Sequence, residues 1–309
     1  MKLIIKMVTL FCGIVSAMLM AHHTAVASEF VGVRQIEIPS RERGRDLAVT
    51  VWYPADAGGE PVTLGESVFF EGTVSMLKAP ITRGKYPLIL LSHGAGLGGT
   101  PEAMSWIATP LAKEGFIIAA PKHPGNGGID RSAAETMKLW LRPADITATL
   151  AMVEQHMFFE SHLDARNVGV LGLSMGGNTA LALAGARIDP ARLSSYCDSE
   201  VLNTSLCGWV RQSGVDLHAM DMKRADRNNK DKRIKFAMAV DPAPVDVFQD
   251  GTFVNVTIPV EIVNLGKPGK IPLTTLAFGI IKAIPKGEYS TIEDASHYSI
   301  FGECKLAGC

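Results

Sequence analysis

The stretch Asn167-Val-Gly-Val-Leu-Gly-Leu-Ser-Met-Gly-Gly-Asn-Thr-Ala-Leu-Ala-Leu183 decides how the rest of the chain is read. An apolar run ends in Gly172-Leu173-Ser174-Met175-Gly176 and is followed at once by small, helix-favouring residues, which predicts a strand, a very tight turn and a helix. G-x-S-x-G alone is common in a glycine-rich chain; the strand-turn-helix setting gives it weight. In that setting Ser174 sits at a strained position with its hydroxyl exposed, and Gly172 and Gly176 keep side chains out of the crowded turn. The N–H of Met175, at the positive end of the new helix, can then face an oxyanion beside Ser174.

Working outward, buried strands are expected at Tyr86 to Leu91, Phe116 to Ala120, Val168 to Leu173, Ile234 to Val240, Pro259 to Asn264 and Glu288 to Ile292. Helices are expected over Pro101 to Glu114, Arg142 to His156 and Leu273 to Ala283. An opening hairpin pairs Val33 to Ile38 with Leu47 to Tyr53 around the polar turn Arg41 to Arg45, and Gly58 to Lys85 reads as irregular. Alternating strands and helices imply a mostly parallel, twisted sheet with helices on both faces and right-handed crossovers. Between residues 187 and 232 the periodicity fades into a polar insertion that holds Cys197 and Cys207.

Residues 1–27 carry Lys2 and Lys6, an apolar segment from Met7 to Met20 and the small-x-small site Ala25-Val26-Ala27, the pattern of a cleaved secretory signal. The expectation is a secreted or periplasmic protein with no stable membrane anchor, in which residues 28–309 form one domain. Cys197 with Cys207, and Cys304 with Cys309, are the expected disulfides because each pair is close in sequence. A net charge of −1 argues against nucleic acid as a partner. The basic run Lys223 to Lys235 is interleaved with Asp226 and Asp231 and reads as a solvated connection. No spacing resembles a metal site, and the chemistry expected of Ser174 needs no cofactor.

A serine at neutral pH needs a histidine to take its proton and a carboxylate to orient that histidine. Only His218 and His297 follow Ser174, and His297 comes after the last expected strand, where this strand order delivers its base. The loop after Pro259 to Asn264 holds no carboxylate, so Asp241 at the end of the preceding strand is the expected acid, with Asp294 as runner-up. Ser92-His93-Gly94-Ala95-Gly96 closes an upstream strand; its Ala95 N–H, with that of Met175, is expected to form the oxyanion hole, while His93 braces the loop. Scattered apolar residues such as Phe69 and Phe70 are more often core, and the sequence leaves open whether these two meet lipid.

Taken in order, Leu91-Ser92-His93-Gly94, Gly115 to Ala120, the Ser174 turn, Ala239-Val240-Asp241 and Ala295-Ser296-His297 resemble the plasma and type II platelet-activating-factor acetylhydrolases and their bacterial relatives, the predicted dienelactone hydrolases. The resemblance implies an α/β-hydrolase fold and an acid placed after the strand that follows the Ser174 helix, at Asp241. It implies a serine hydrolase that cleaves carboxylic esters, small-molecule or lipid, through an acyl-enzyme. The same triad serves peptidases, amidases and acyltransferases, and the scaffold also serves binding proteins without catalysis. The insertion is longer than in the animal acetylhydrolases, and dienelactone hydrolases proper carry cysteine where this chain has Ser174.

Overall fold

A computed structural model describes residues 28–305, so the expected signal segment and Cys309, with its proposed bond to Cys304, lie outside the described residues. Among the described residues ten strands form one sheet: β1 (Phe30–Ser40), β2 (Arg45–Ala55), β3 (Glu60–Leu64), β4 (Thr73–Leu77), β5 (Tyr86–Ser92), β6 (Ile117–Pro121), β7 (Leu163–Leu173), β8 (Phe236–Val240), β9 (Val260–Leu265) and β10 (Gly287–Ile292). Their spatial order is β10-β9-β8-β7-β5-β6-β2-β1-β4-β3. From β6 to β10 every neighbouring pair is parallel, whereas β1, β2 and β6 pair antiparallel.

The parallel centre follows from composition. Strands β6, β8 and β9 are buried along their whole length, the state expected when helices cover both faces. Side chains alternate between two cores. Leu88 and Leu90 of β5 pack with Ile146, Leu150 and Val153 of the helix Arg142–Gln155, while Ile89 and Leu91 pack with Trp106, Ile107 and Leu111 of the helix Ser105–Lys113. Each such apolar side chain contributes about 1.5–3 kcal/mol by leaving water. Pro143 opens the first of these helices, where its missing N–H costs nothing, and Gly115 with φ +92° follows the second.

Two expectations need correction. The segment from Gly58 to Lys85 is not irregular: β3 and β4 pair antiparallel within it, and β4 joins the edge of β1. Leu273 to Ala283 is not one helix but a short turn, Leu273–Thr275, followed by a single helical stretch, Phe278–Ile281. The insertion is ordered by the helices Pro190–Ser194 and Thr204–Gln212 and by the Cys197–Cys207 disulfide, with Cα atoms 5.1 Å apart. Among the described residues no helix is long and apolar enough to cross a membrane.

Candidate active site

Ser174 stands between β7 and the helix Met175–Ala184 with φ 54° and ψ −118°, a region that costs a non-glycine residue about 1–3 kcal/mol. The surroundings hold it there. Its N–H donates to Val240 at 3.0 Å, and its carbonyl accepts from Gly177 at 2.8 Å and from Ala243 at 3.0 Å. A Cβ on Gly172 would meet the Gly176 carbonyl oxygen at 1.9 Å, and one on Gly176 would meet that of Ser92 at 1.7 Å, so both positions admit only glycine.

Asp241 follows β8 directly, also at positive φ (43°), and is fully buried. Its Oδ1 accepts from the Asn264 amide and from the Leu265 N–H, each at 2.8 Å. Its Oδ2 lies 2.9 Å from Nδ1 of His297, which opens the turn after β10 and is partly exposed. The carboxylate on this imidazole is therefore that of Asp241, and Asp294 lies exposed in the same loop. Among the described residues Ser174 Oγ makes no hydrogen bond to the ring, a contact that commonly tightens only when substrate binds. His218, the other downstream histidine, lies on the surface of the insertion and pairs with Asp198 at 2.8 Å.

A Cβ on Gly94 would stand 3.8 Å from Ser174 Oγ, which brings the loop after β5 against the serine. Ala95 is extended, and neither its N–H nor that of Met175 donates to another group of the described residues. Both amides are thus available to an added oxygen. His93 does not face the serine: its Nδ1 is 2.8 Å from the Gly94 carbonyl, and its Nε2 accepts the His123 N–H at 3.0 Å. That acceptor role fixes a neutral ring with the proton on Nδ1.

Sequence reading missed the polar cluster behind this loop. Ser92, His123, Asp145 and Arg142 are all buried, and their charges carry no local signature because the partners come from separate elements. Burial first, then the neighbouring guanidinium groups, hold His123 neutral; burial and the second imidazole do the same for His93. Arg142, drawn down to about 9 by burial, stays charged at neutral pH. A histidine whose pKa is depressed by folding adds stability above its unfolded pKa and loses it as pH falls toward the folded value. Acidification below about pH 6.5 is therefore expected to cost stability at up to roughly 1.4 kcal/mol per pH unit for each of the two rings. Denaturant midpoints across pH 5–7 check this; a flat profile would show that both rings take up protons in the folded protein as readily as in the unfolded chain.

Beside His297 lies an apolar groove of about 470 Å³, walled by Phe69, Phe70, Leu97, Tyr298 and Phe301. Phe69 is half exposed there, and with Phe70 it belongs to the wall of this groove, a placement the sequence left open. Among the described residues no group of three or more His, Cys, Asp and Glu is placed to hold a metal ion.

A family model described as the alpha/beta hydrolase fold matches residues 87–227, from β5 through the Ser174 turn into the insertion. The chain has the α/β-hydrolase fold. It is 34% identical over 119 residues to the platelet-activating factor acetylhydrolase of Cavia porcellus, an alignment covering 34% of this chain and 25% of that one. The chain thus spans about a quarter of the length of that relative. Among solved structures, the ferulic acid esterase from Streptomyces cinnamoneus shares the fold with a TM-score of 0.54 at 17% identity, over 90% of this chain and 77% of that one. A putative dienelactone hydrolase from Klebsiella pneumoniae aligns with a TM-score of 0.48 at 15% identity, over 86% and 87%.

Proposed function

We propose that this chain is a serine hydrolase that cleaves carboxylic esters through an acyl-enzyme. The observation that carries the reading is the Asp241–His297 hydrogen bond, built at the same sheet rim as the strained Ser174 turn. Ser174 Oγ attacks the ester carbonyl carbon while Nε2 of His297 takes its proton. Asp241 holds the Nδ1–H tautomer and stabilises the imidazolium that forms. The Ala95 and Met175 amides receive the oxyanion, each worth about 10²–10³ in rate. His297 then returns the proton to the leaving alkoxide, and water, activated by the same ring, releases the acid.

Esters are favoured over amides by the names of the similar proteins, an acetylhydrolase and an esterase. The groove beside His297 suits a substrate with an apolar group, small-molecule or lipid. The Cys197–Cys207 disulfide supports a location outside the cytoplasm, secreted or periplasmic. A fluorophosphonate probe is expected to label wild-type protein once, on Ser174, as mapped by peptide mass spectrometry. Absence of labelling in folded protein, or labelling elsewhere, would remove the reading.

A further inference from the structure

Behind the oxyanion loop lies a second hydroxyl-imidazole-carboxylate series. Ser92 Oγ is 2.9 Å from His123 Nε2, His123 Nδ1 is 2.8 Å from Asp145 Oδ2, and all three side chains are fully buried. Arg43, from the turn between β1 and β2, clamps both Asp145 oxygens at 3.0 and 2.7 Å. A carboxylate that accepts two guanidinium N–H groups is an acceptor only, so His123 donates from Nδ1 and its Nε2 accepts the Ser92 hydroxyl. Every group in the chain then has one direction of donation. Ser92 is shut away from solvent and ends β5 one residue before the loop, so it is not a rival nucleophile.

The series reaches the oxyanion loop through His123, and Arg142 with Asn126 braces the same loop beside it. The His123 N–H holds Nε2 of His93, and the His93 ring holds the Gly94 carbonyl. Arg142 donates to the His93 carbonyl and, at 2.9 Å, to Asn126 Oδ1, while the Asn126 carbonyl receives the Gly96 N–H at 2.9 Å. Residues 93, 94 and 96 are thereby fixed on both sides of Ala95. The Ala95 amide itself has no partner among the described residues, so nothing but this frame aims it.

We infer that Ser92, His123 and Asp145 form a positioning relay that aims the Ala95 N–H at the transition-state oxyanion. The inference rests on the proposed role of Ala95 in ester hydrolysis. A hydrogen-bond donor displaced by a fraction of an ångström keeps substrate binding and loses stabilisation of the developing charge, so the loss falls on kcat rather than KM.

The test compares wild type, Ser92→Ala and Ser92→Thr with a p-nitrophenyl ester, after titrating active sites with the fluorophosphonate probe so that rates refer to intact sites. Ser92→Ala is expected to lower kcat per titrated site roughly 10- to 100-fold with KM within about twofold. Affinity for a trifluoromethyl ketone that forms a tetrahedral oxyanion should weaken by a similar factor, and Ser92→Thr, which restores the hydroxyl, should recover most of both losses. If Ser92→Ala does not fold, Ser92→Cys, with a weaker donor of similar size, carries the same comparison. Unchanged kcat per site in either variant, whatever the melting temperature, would overturn the relay and leave the Ser174 reading standing. A wild type that neither labels nor turns over would sink the catalytic reading itself, and the relay with it.

Discussion

Ser174→Ala is expected to lower the turnover of a p-nitrophenyl ester by a factor on the order of 10⁶, with the fold retained. The size follows from what the oxygen does. Without it no acyl-enzyme forms, and the oxyanion donors and binding groove can assist only direct attack by water, which typically leaves about 10³–10⁴ over the uncatalysed rate. The substitution removes one partly buried oxygen that makes no hydrogen bond to His297 in this structure. The positive φ at residue 174 remains, and β7 and its helix are held by the backbone bonds to Val240, Gly177 and Ala243. Initial rates with the purified variant, together with its melting temperature, check the prediction. Turnover within tenfold of wild type would mean that some other group attacks.

How far the fold could be read depended on whether each signal was local. The Ser174 turn was legible because its requirement is steric and short-range: a Cβ on Gly172 or Gly176 collides with backbone a few residues away or on the adjoining strand. Strands β5 to β9 were legible because burial on both faces leaves continuous apolar runs. β3 and β4 escaped because they lie at the sheet edge with polar and half-exposed residues, so neither alternation nor a buried run marks them.

The helix expected at Leu273 to Ala283 failed for a reason located thirteen residues upstream of Ala277. Asn264 donates to the Thr275 carbonyl at 2.7 Å and accepts the Ala277 N–H at 3.2 Å, taking backbone groups that a helix would have paired internally. The same amide donates to Asp241, so the broken helix and the seating of that carboxylate share one side chain. Sequence order placed Asp241 and His297 after β8 and β10, which end at one rim of the sheet with β9 between them, and the structure pairs the two side chains at 2.9 Å. No such order announces Ser92, His123, Asp145 and Arg43, which meet only because the first hairpin folds back over the helix that begins at Arg142.

The carboxylate offers the second large effect. Asp241→Asn is expected to reduce kcat by about 10⁴ while Asp294→Asn leaves it within about twofold, both measured with the same ester at pH 7–8. An asparagine at 241 can keep the bonds from Asn264 and Leu265 only by turning its oxygen toward them, because both are donors. Its NH₂ group then faces Nδ1 of His297 and forces that nitrogen to accept. The proton moves to Nε2, the nitrogen required as a base, and no anion remains to offset the imidazolium. Asp294 sits exposed, where the loss of one charge is screened by water. The opposite outcome, a rate that survives at 241 and collapses at 294, would mean that the loop after β10 rearranges when substrate binds and that the imidazole changes partner. That outcome requires breaking a bond to a fully buried carboxylate whose other oxygen is already saturated by two donors.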